Sequence, residues 1–428
     1  MSGIEIDHGG AISVDPEALR DVATRMTALA TDFAEARSSI ETAYRRIVDA
    51  PGLAEHVDTS ALWSSGVHTE ALREDIESAV VGVRLMADVF EYVDLKAEAD
   101  ALALTDAVAA DELRARMDEI AQGDPRVPDM ATMLVQSWVD DRFAGLDNQY
   151  TAGGLLSPLF FGAAAMGAHA GLGKIWPGMT LSGAADPVSV TPVKTSTPAT
   201  APGSASEALG RMPSGSGAQI AVEKYTMPDG STKFVTYLVG TQNFLPWQSG
   251  GSEPWDMKSN VELYGGTTSA SYQATLDALA AAGARPGDEV DVVAHSQSGM
   301  IAAHLAMESE YDVQVQVTAG SPVEPTLEDD QTLIQFRHTD DLVSGLAGGG
   351  APGGTGSPDS VTVSREGDPV SGIQDVWLQT HHLDTYIETA ELAEESGDPR
   401  MESLDDFWDG LDDAVEIERT EFHAEREK

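Results

Sequence analysis

Two long stretches near the start of the chain repeat apolar side chains every three or four residues. The first lies between residues 19 and 47, and the second between 72 and 93. This spacing places the apolar positions on one face of a helix. Asp15 and Pro16 form a start signal for the first helix, an acidic N-cap followed by proline at the first helical position. The pattern predicts a helical hairpin over residues 1–105.

The pattern weakens over the next hundred residues. Residues 106–181 are predicted to add helical segments, with helices at 106–121 and 129–146. The Gly- and Ala-rich stretch 154–176 is only weakly hydrophobic, so it is interpreted as a buried or interfacial helix and not as an integral membrane span. Residues 182–216 are rich in Pro, Ser, Thr and Ala. That composition predicts an extended linker between domains.

After the linker, short β-branched runs alternate with helix-like segments. The run EVDVVAH at 289–295 is one such strand, and SGMIAAHLAME at 298–308 is the helix that follows it. Strands that alternate with helices predict a mostly parallel central sheet covered on both faces. The fold class is therefore α/β over residues 217–400, preceded by an all-α hairpin domain. Residues 401–428 are predicted to form an acidic helical tail.

Composition narrows the functional classes. The chain has 428 residues with 71 acidic and 25 basic side chains, a formal charge of −46. Such a balance argues against nucleic acid as a partner and against docking on anionic lipid. No cysteine is present, which excludes disulfides and thiolate zinc sites. The first residues lack a basic segment followed by an apolar one, so no ordinary secretory signal peptide is expected and the protein is expected to be soluble.

Ser296 is the serine that joins a predicted buried strand directly to a predicted helix. A serine on such a tight turn has a strained backbone that lifts its hydroxyl above the sheet. The turn also points the next amide and the helix N-terminus at a developing oxyanion. Small residues are required on both sides of the turn, and Ala294 and Ser298 are small although neither is glycine. Ser296 is the candidate nucleophile.

Six motifs follow one another within residues 219–389: GTQ, PWDMKSN, HSQSG, TAGSPV, DDLV and HHLDTY. In this order they resemble the α/β-hydrolase superfamily on its lipase and esterase side, in the form found in actinobacterial hydrolases. The resemblance implies an α/β-hydrolase fold and hydrolysis of a small-molecule or lipid ester through an acyl-enzyme. It implies neither a metal nor an organic cofactor.

The resemblance also implies the chain order nucleophile, acid, base after Ser296. His381 or His382 is the expected base, since both follow the predicted strands and open a helix. The spacing to a tyrosine five residues later favours His381. Asp341 is the expected acid and Asp340 is the near alternative, because both follow the strand after next beyond the nucleophile.

A hydrolase of this kind also needs two backbone amides as an oxyanion hole. The amide of Gln297, directly after the nucleophile, is expected to supply the first. The second is expected from the turn that follows the strand KFVTYLV, where Gly240 permits the bend. The amide of Thr241 is preferred there, and that of Gln242 is the alternative.

The first hundred residues resemble the WXG family of helical hairpins, small substrates of type VII secretion. The connection holds Trp63-Ser64-Ser65-Gly66, which is one residue longer than the Trp-x-Gly of the family. The resemblance implies a helical partner that binds residues 1–105, and a protein that stays in the cytoplasm or leaves by a type VII-like route. The competing hypothesis is therefore a secretion-related effector or interaction protein with a weak or inactive hydrolase domain.

Overall fold

The structure is a computed structural model. It describes residues 3–8, 16–102, 107–146, 174–175, 178–244, 246–348, 354–370, 378–402 and 404–427. Among these residues no helix combines the length and apolarity needed to cross a membrane. Most of the weakly hydrophobic stretch 154–176 lies outside the described residues, as does the N-cap Asp15.

The chain divides into two compact units. One comprises residues 13–138, and the other comprises residues 1–12 together with 139–428. The helical unit therefore differs at both ends from the hairpin predicted for residues 1–105. It excludes residues 1–12, of which Glu5–His8 form a strand of the other unit, and it includes two further helices. The helices are α1 Pro16–Val48, α2 Thr59–Leu102, α3 Ala107–Gly123 and α4 Val127–Arg142.

Helices α1 and α2 pair along their length as the apolar repeat predicts. Small residues on α1 allow close packing, and Ala23 is fully buried. Across the pair, Arg20 donates to Asp88 at 2.8 Å. Trp63 on α2 remains 58% exposed. A helical partner for residues 1–105 stays a prediction.

In the described part of the second unit, nine strands form a mixed sheet in the order β1-β10-β9-β7-β6-β5-β4-β11-β3. Strands β5, β6, β7, β9 and β10 are parallel, and antiparallel strands flank them on both sides. A separate short ladder joins β2 to β8. The strands are β1 Glu5–His8, β2 Lys174–Ile175, β3 Val188–Ser196, β4 Ile220–Thr226, β5 Thr232–Leu238, β6 Glu289–His295, β7 Val315–Ala319, β8 Glu324–Pro325, β9 Thr332–His338, β10 Val361–Arg365 and β11 Glu416–Arg426.

Helices cover both faces of this sheet, as an α/β fold requires. On one face α5, α9, α10 and α11 pack against alternate strand residues such as Val293 and Phe336. On the other face α6, α7 and α8 pack against the intervening residues, among them Val292 and Ala294. The helices are α5 Ala205–Gly210, α6 Met257–Tyr264, α7 Ala270–Ala282, α8 Ser298–Glu308, α9 Leu383–Glu394, α10 Pro399–Glu402 and α11 Asp405–Asp412.

The prediction of an extended linker over residues 182–216 is wrong. This segment contains β3, which pairs with β11 at one edge of the sheet, and the buried helix α5. The strand is mostly exposed, so no apolar alternation marks it. The helix buries small side chains, and Ser206 donates to both carboxylate oxygens of Glu394 through its amide and hydroxyl groups. Small residues therefore serve here for close packing and not for flexibility.

The prediction of a helical tail over residues 401–428 is also wrong in its last part. Residues 416–426 form β11, which lies inside the sheet between β4 and β3. A bulge between Glu421 and Phe422 moves the buried positions from odd to even residues and hides the two-residue period. Charged side chains in the strand are buried with partners, as Arg426 is with Asp256 at 2.8 Å.

Candidate active site

The site lies where three parallel strands end at the same edge of the sheet. Strand β5 leads to Gly240, strand β6 to Ser296, and strand β9 to Asp341. In open α/β sheets this edge is where ligands bind, because loops of different strands meet there. Polar residues far apart in sequence are therefore brought together.

Ser296 occupies a strained turn between β6 and α8. Its φ angle is 55°, a left-handed conformation that costs a non-glycine residue about 1–2 kcal/mol. The Ser296 amide donates to the carbonyl of Ala319 on the neighbouring strand at 2.8 Å, which helps to hold the turn. Glycine is required at 299, since a Cβ there would lie 2.4 Å from Ser321 Oγ. The turn leaves Ser296 only 6% exposed.

A hydrogen-bonded chain joins Ser296, His381 and Asp341. Ser296 Oγ lies 2.7 Å from His381 Nε2, and His381 Nδ1 lies 2.7 Å from Asp341 Oδ2. An ionised carboxylate only accepts hydrogen bonds, so Nδ1 carries a proton whether the ring holds one proton or two. When the ring holds one proton, Nε2 is the acceptor that faces the serine hydroxyl.

Asp341 is fully buried and held by four donors. Besides His381, the Tyr386 hydroxyl donates to Oδ2 at 2.7 Å and the Val343 amide donates to Oδ1 at 2.8 Å. Ser344 Oγ lies 3.3 Å from Oδ2. Burial by itself raises the pKa of Asp341, but the charge and hydrogen bond of His381 and the other donors hold this pKa well below its ordinary value. The carboxylate therefore stays ionised at neutral pH.

The alternative acid and base lie in different surroundings. Asp340 accepts from the amides of Gly367 at 2.7 Å and Asp368 at 2.9 Å. Burial raises the pKa of Asp340 to about 6 despite these bonds. His382 is the residue before α9, and its carbonyl accepts from the amide of Thr385 at 3.1 Å. The contact with Ser296 Oγ is made by His381.

Three candidate oxyanion amides were expected, and they differ in their partners. The Gln242 amide donates to the carbonyl of Trp255 at 2.8 Å and is therefore already used. Within the described residues, the amides of Thr241 and Gln297 donate to no other group. Their side chains are joined, with Thr241 Oγ1 donating to Gln297 Oε1 at 3.3 Å. Among the described residues, Thr241 and Gln297 are thus the two candidates whose amides have no acceptor, whereas that of Gln242 has one.

Residues of the motif PWDMKSN hold the turn that carries Thr241. Asn260 Nδ2 donates to Thr241 Oγ1 at 2.9 Å, and the Trp255 indole donates to Ser298 Oγ at 3.0 Å. The Ser298 hydroxyl in turn donates to the carbonyl of Val239 at 2.6 Å. From the sequence, Ser298 is expected only to be small enough for the turn at Ser296. The structure gives its hydroxyl a bridging position that glycine lacks.

No group of three or more His, Asp or Glu side chains in the described ranges is arranged to hold a metal ion. Comparison with known proteins gives no relative: no family model, no curated protein and no solved structure matches this chain.

Proposed function

We propose that this protein is a serine hydrolase that cleaves carboxylic esters, and that its second unit is an α/β-hydrolase domain. The single observation that carries the proposal is the continuous hydrogen-bonded chain from Ser296 Oγ through His381 to Asp341. The left-handed backbone at Ser296 supports it independently, because strain of that kind concentrates at functional sites.

The proposed reaction begins when Ser296 Oγ attacks the carbonyl carbon of the ester. His381 Nε2 takes the hydroxyl proton as the new C–O bond forms. The negative charge moves to the carbonyl oxygen, which the amides of Thr241 and Gln297 stabilise, with each donor contributing about 3 kcal/mol. Collapse of this intermediate breaks the ester bond, and His381 protonates the leaving alcohol.

Water then attacks the acyl-serine, and His381 accepts its proton. The second tetrahedral intermediate releases the carboxylic acid and returns the proton to Ser296 Oγ. Asp341 keeps its negative charge throughout and stabilises the imidazolium that forms in each half-reaction. All of these proton transfers occur at one nitrogen, His381 Nε2.

Steady-state hydrolysis of p-nitrophenyl esters of increasing acyl length tests the proposal. The wild-type chain is expected to hydrolyse at least one of them, and Ser296→Ala is expected to lose that activity. Ser309→Ala is the matched control, since Ser309 also lies at an end of α8 and its hydroxyl donates only to the carbonyl of Leu305. Equal rates for wild type and Ser296→Ala, or no turnover by the wild type of any ester, contradict the proposal.

A further inference from the structure

Two histidines outside the hydrogen-bonded chain contact the backbone of the turn that carries His381. His295, the last residue of β6, places Nε2 2.9 Å from the carbonyl oxygen of His381. His338, the last residue of β9, places Nδ1 2.6 Å from the carbonyl oxygen of Thr380. A carbonyl only accepts a hydrogen bond, so each of these ring nitrogens carries a proton. Two successive carbonyls are thus held by donors from two different strands.

The contacts of the second ring nitrogen of His338 agree with this tautomer. Nε2 lies 2.7 Å from the hydroxyl of Thr389, which accepts from Arg365 Nε at 2.7 Å. Burial lowers the pKa of His338 to about 4, so the ring is neutral and Nε2 has no proton. Nε2 is therefore an acceptor, and the Thr389 hydroxyl, which also lies 3.0 Å from the carbonyl oxygen of Thr385, is the group that can donate to it. Burial likewise lowers the pKa of His295 to about 3, with a contribution from His381.

Ring packing fixes the same turn from the side. The His338 ring stacks on Tyr386 with centroids 3.9 Å apart and planes within 6°. The His295 ring stacks on His381 itself at 5.1 Å. Both contacts therefore reach the hydrogen-bonded chain. His381 is part of it, and Tyr386 donates to the carboxylate of Asp341 at its end.

The turn needs such support because its own backbone is strained. His381 lies in a single short helical turn, Gln379–His381. It is preceded by Leu378, whose φ angle of 53° is left-handed. Among the described residues, Leu378 and Ser296 are the two non-glycine residues with positive φ. Strain of this kind persists only where surrounding contacts determine the conformation.

We propose that His295 and His338 are positioning residues that hold the backbone of Thr380 and His381, so that the His381 ring stays between Ser296 and Asp341. This inference rests on the proposed function of Ser296. The two histidines act through His381 and touch neither substrate nor the reacting atoms. They also must donate from opposite nitrogens, Nε2 in His295 and Nδ1 in His338.

Paired substitutions test the role of each donor. His295→Gln keeps an amide nitrogen near the position of Nε2, and His338→Asn keeps one near Nδ1, whereas leucine at either position removes the donor. Each leucine variant is expected to lower kcat for an ester substrate about 10- to 100-fold with KM nearly unchanged. The Gln and Asn variants are expected to stay close to the wild-type kcat. His304→Leu, which removes a buried imidazole from α8, is the control and is expected to keep wild-type kcat.

The proposal is overturned if the leucine variants retain wild-type kcat, or if the Gln and Asn variants are as impaired as the leucine variants while unfolding at the same denaturant concentration as wild type. The second outcome means that kcat depends on the imidazole ring itself and not on the hydrogen bond that it donates.

Nitrogen-15 spectra of histidine-labelled full-length protein give a readout that does not require turnover. The expected result is a proton on Nε2 of His295 and on Nδ1 of His338, with a downfield Nδ1 proton on His381 that is lost in the leucine variants. The opposite tautomers, or an unchanged His381 proton in those variants, overturn the proposal. These spectra need no substrate. A wild type that hydrolyses no ester therefore refutes the proposed function, while the spectra still test the positioning role of His295 and His338.

Discussion

Replacing Asp341 by asparagine exchanges one carboxylate oxygen for an NH₂ group. The hydrogen-bonding partners of both oxygens are known from the structure. The asparagine oxygen must occupy the position of Oδ1, because the Val343 amide donates there at 2.8 Å and a backbone N–H cannot rotate away. The amide NH₂ then occupies the position of Oδ2, which lies 2.7 Å from His381 Nδ1. The Tyr386 hydroxyl can rotate and accept a hydrogen bond from this NH₂ group. The protonated Nδ1 of His381 cannot accept, because it and the NH₂ group are both donors. His381 therefore moves its proton from Nδ1 to Nε2.

The consequence for catalysis follows from this tautomer. With a proton on Nε2, His381 no longer accepts the proton of Ser296, although all three side chains keep their positions. A triad in the wrong tautomer loses about 10⁴-fold in kcat, which corresponds to about 5 kcal/mol in the barrier. The free energy of unfolding is expected to fall by much less than this change in the barrier, since the asparagine of the variant keeps most of the hydrogen-bonding partners of Asp341.

The assay is hydrolysis of the best p-nitrophenyl ester at neutral pH, with urea unfolding of the same samples. Asp340→Asn is the matched control, because its carboxylate accepts from the backbone amides of Gly367 and Asp368, whereas the carboxylate 2.7 Å from His381 Nδ1 is that of Asp341. That variant is expected to lose stability by about 1–3 kcal/mol and to keep a kcat close to wild type. A kcat near wild type for Asp341→Asn, or a greater loss of kcat for Asp340→Asn, refutes the reasoning.

Three further predictions concern packing and pH. Ser298→Ala removes the bond to the Val239 carbonyl and leaves the buried Trp255 indole without an acceptor, so urea unfolding is expected to show a loss of about 1–3 kcal/mol; a variant as stable as wild type contradicts this. Gly240→Ala places a Cβ 2.7 Å from His295 Nδ1 and 3.0 Å from the Ser296 Cβ, so ester hydrolysis is expected to fall sharply, and unchanged kcat/KM contradicts the prediction. Burial raises the pKa of Asp291 to about 8 from an ordinary 3.8. The unfolded chain releases this proton above pH 4 while the folded chain retains it, so the residue lowers stability progressively as pH rises toward 8. Asp291→Asn cannot ionise, and its stability relative to wild type is expected to increase between pH 5 and pH 8; a constant difference in urea unfolding between these pH values contradicts the reasoning.

The elements with a strong local period were predictable from the sequence. Strand β6 and helix α8 have the bounds that the runs at 289–295 and 298–308 predict. Both elements are buried on nearly all sides, so apolar composition marks them clearly. In contrast, β11 is interrupted by a bulge and carries buried charges such as Arg426, whose partner Asp256 lies far away in the sequence. A local pattern contains no information about that partner.

In the candidate site, too, the features with a local sequence pattern were predictable, and the contacts between distant segments were not. The sequence indicated Ser296, Asp341 and His381 because each follows a strand or opens a helix near the carboxyl edge of the sheet. It left His382 as an alternative, since neighbouring residues in a short turn differ only in the direction of their side chains. The contacts of His295 with His381 and of Ser298 with Val239 were not predictable. Both join segments that only the folded sheet brings together.

The proposed mechanism requires the hydroxyl of Ser296 to be an activated nucleophile. The most direct measurement is reaction of the full-length protein with a fluorophosphonate, followed by intact mass and peptide mapping. We expect one phosphonyl adduct, located on Ser296, that is absent from Ser296→Ala and forms much more slowly in Asp341→Asn. An unlabelled wild type, or an adduct on another residue that persists in Ser296→Ala, contradicts it.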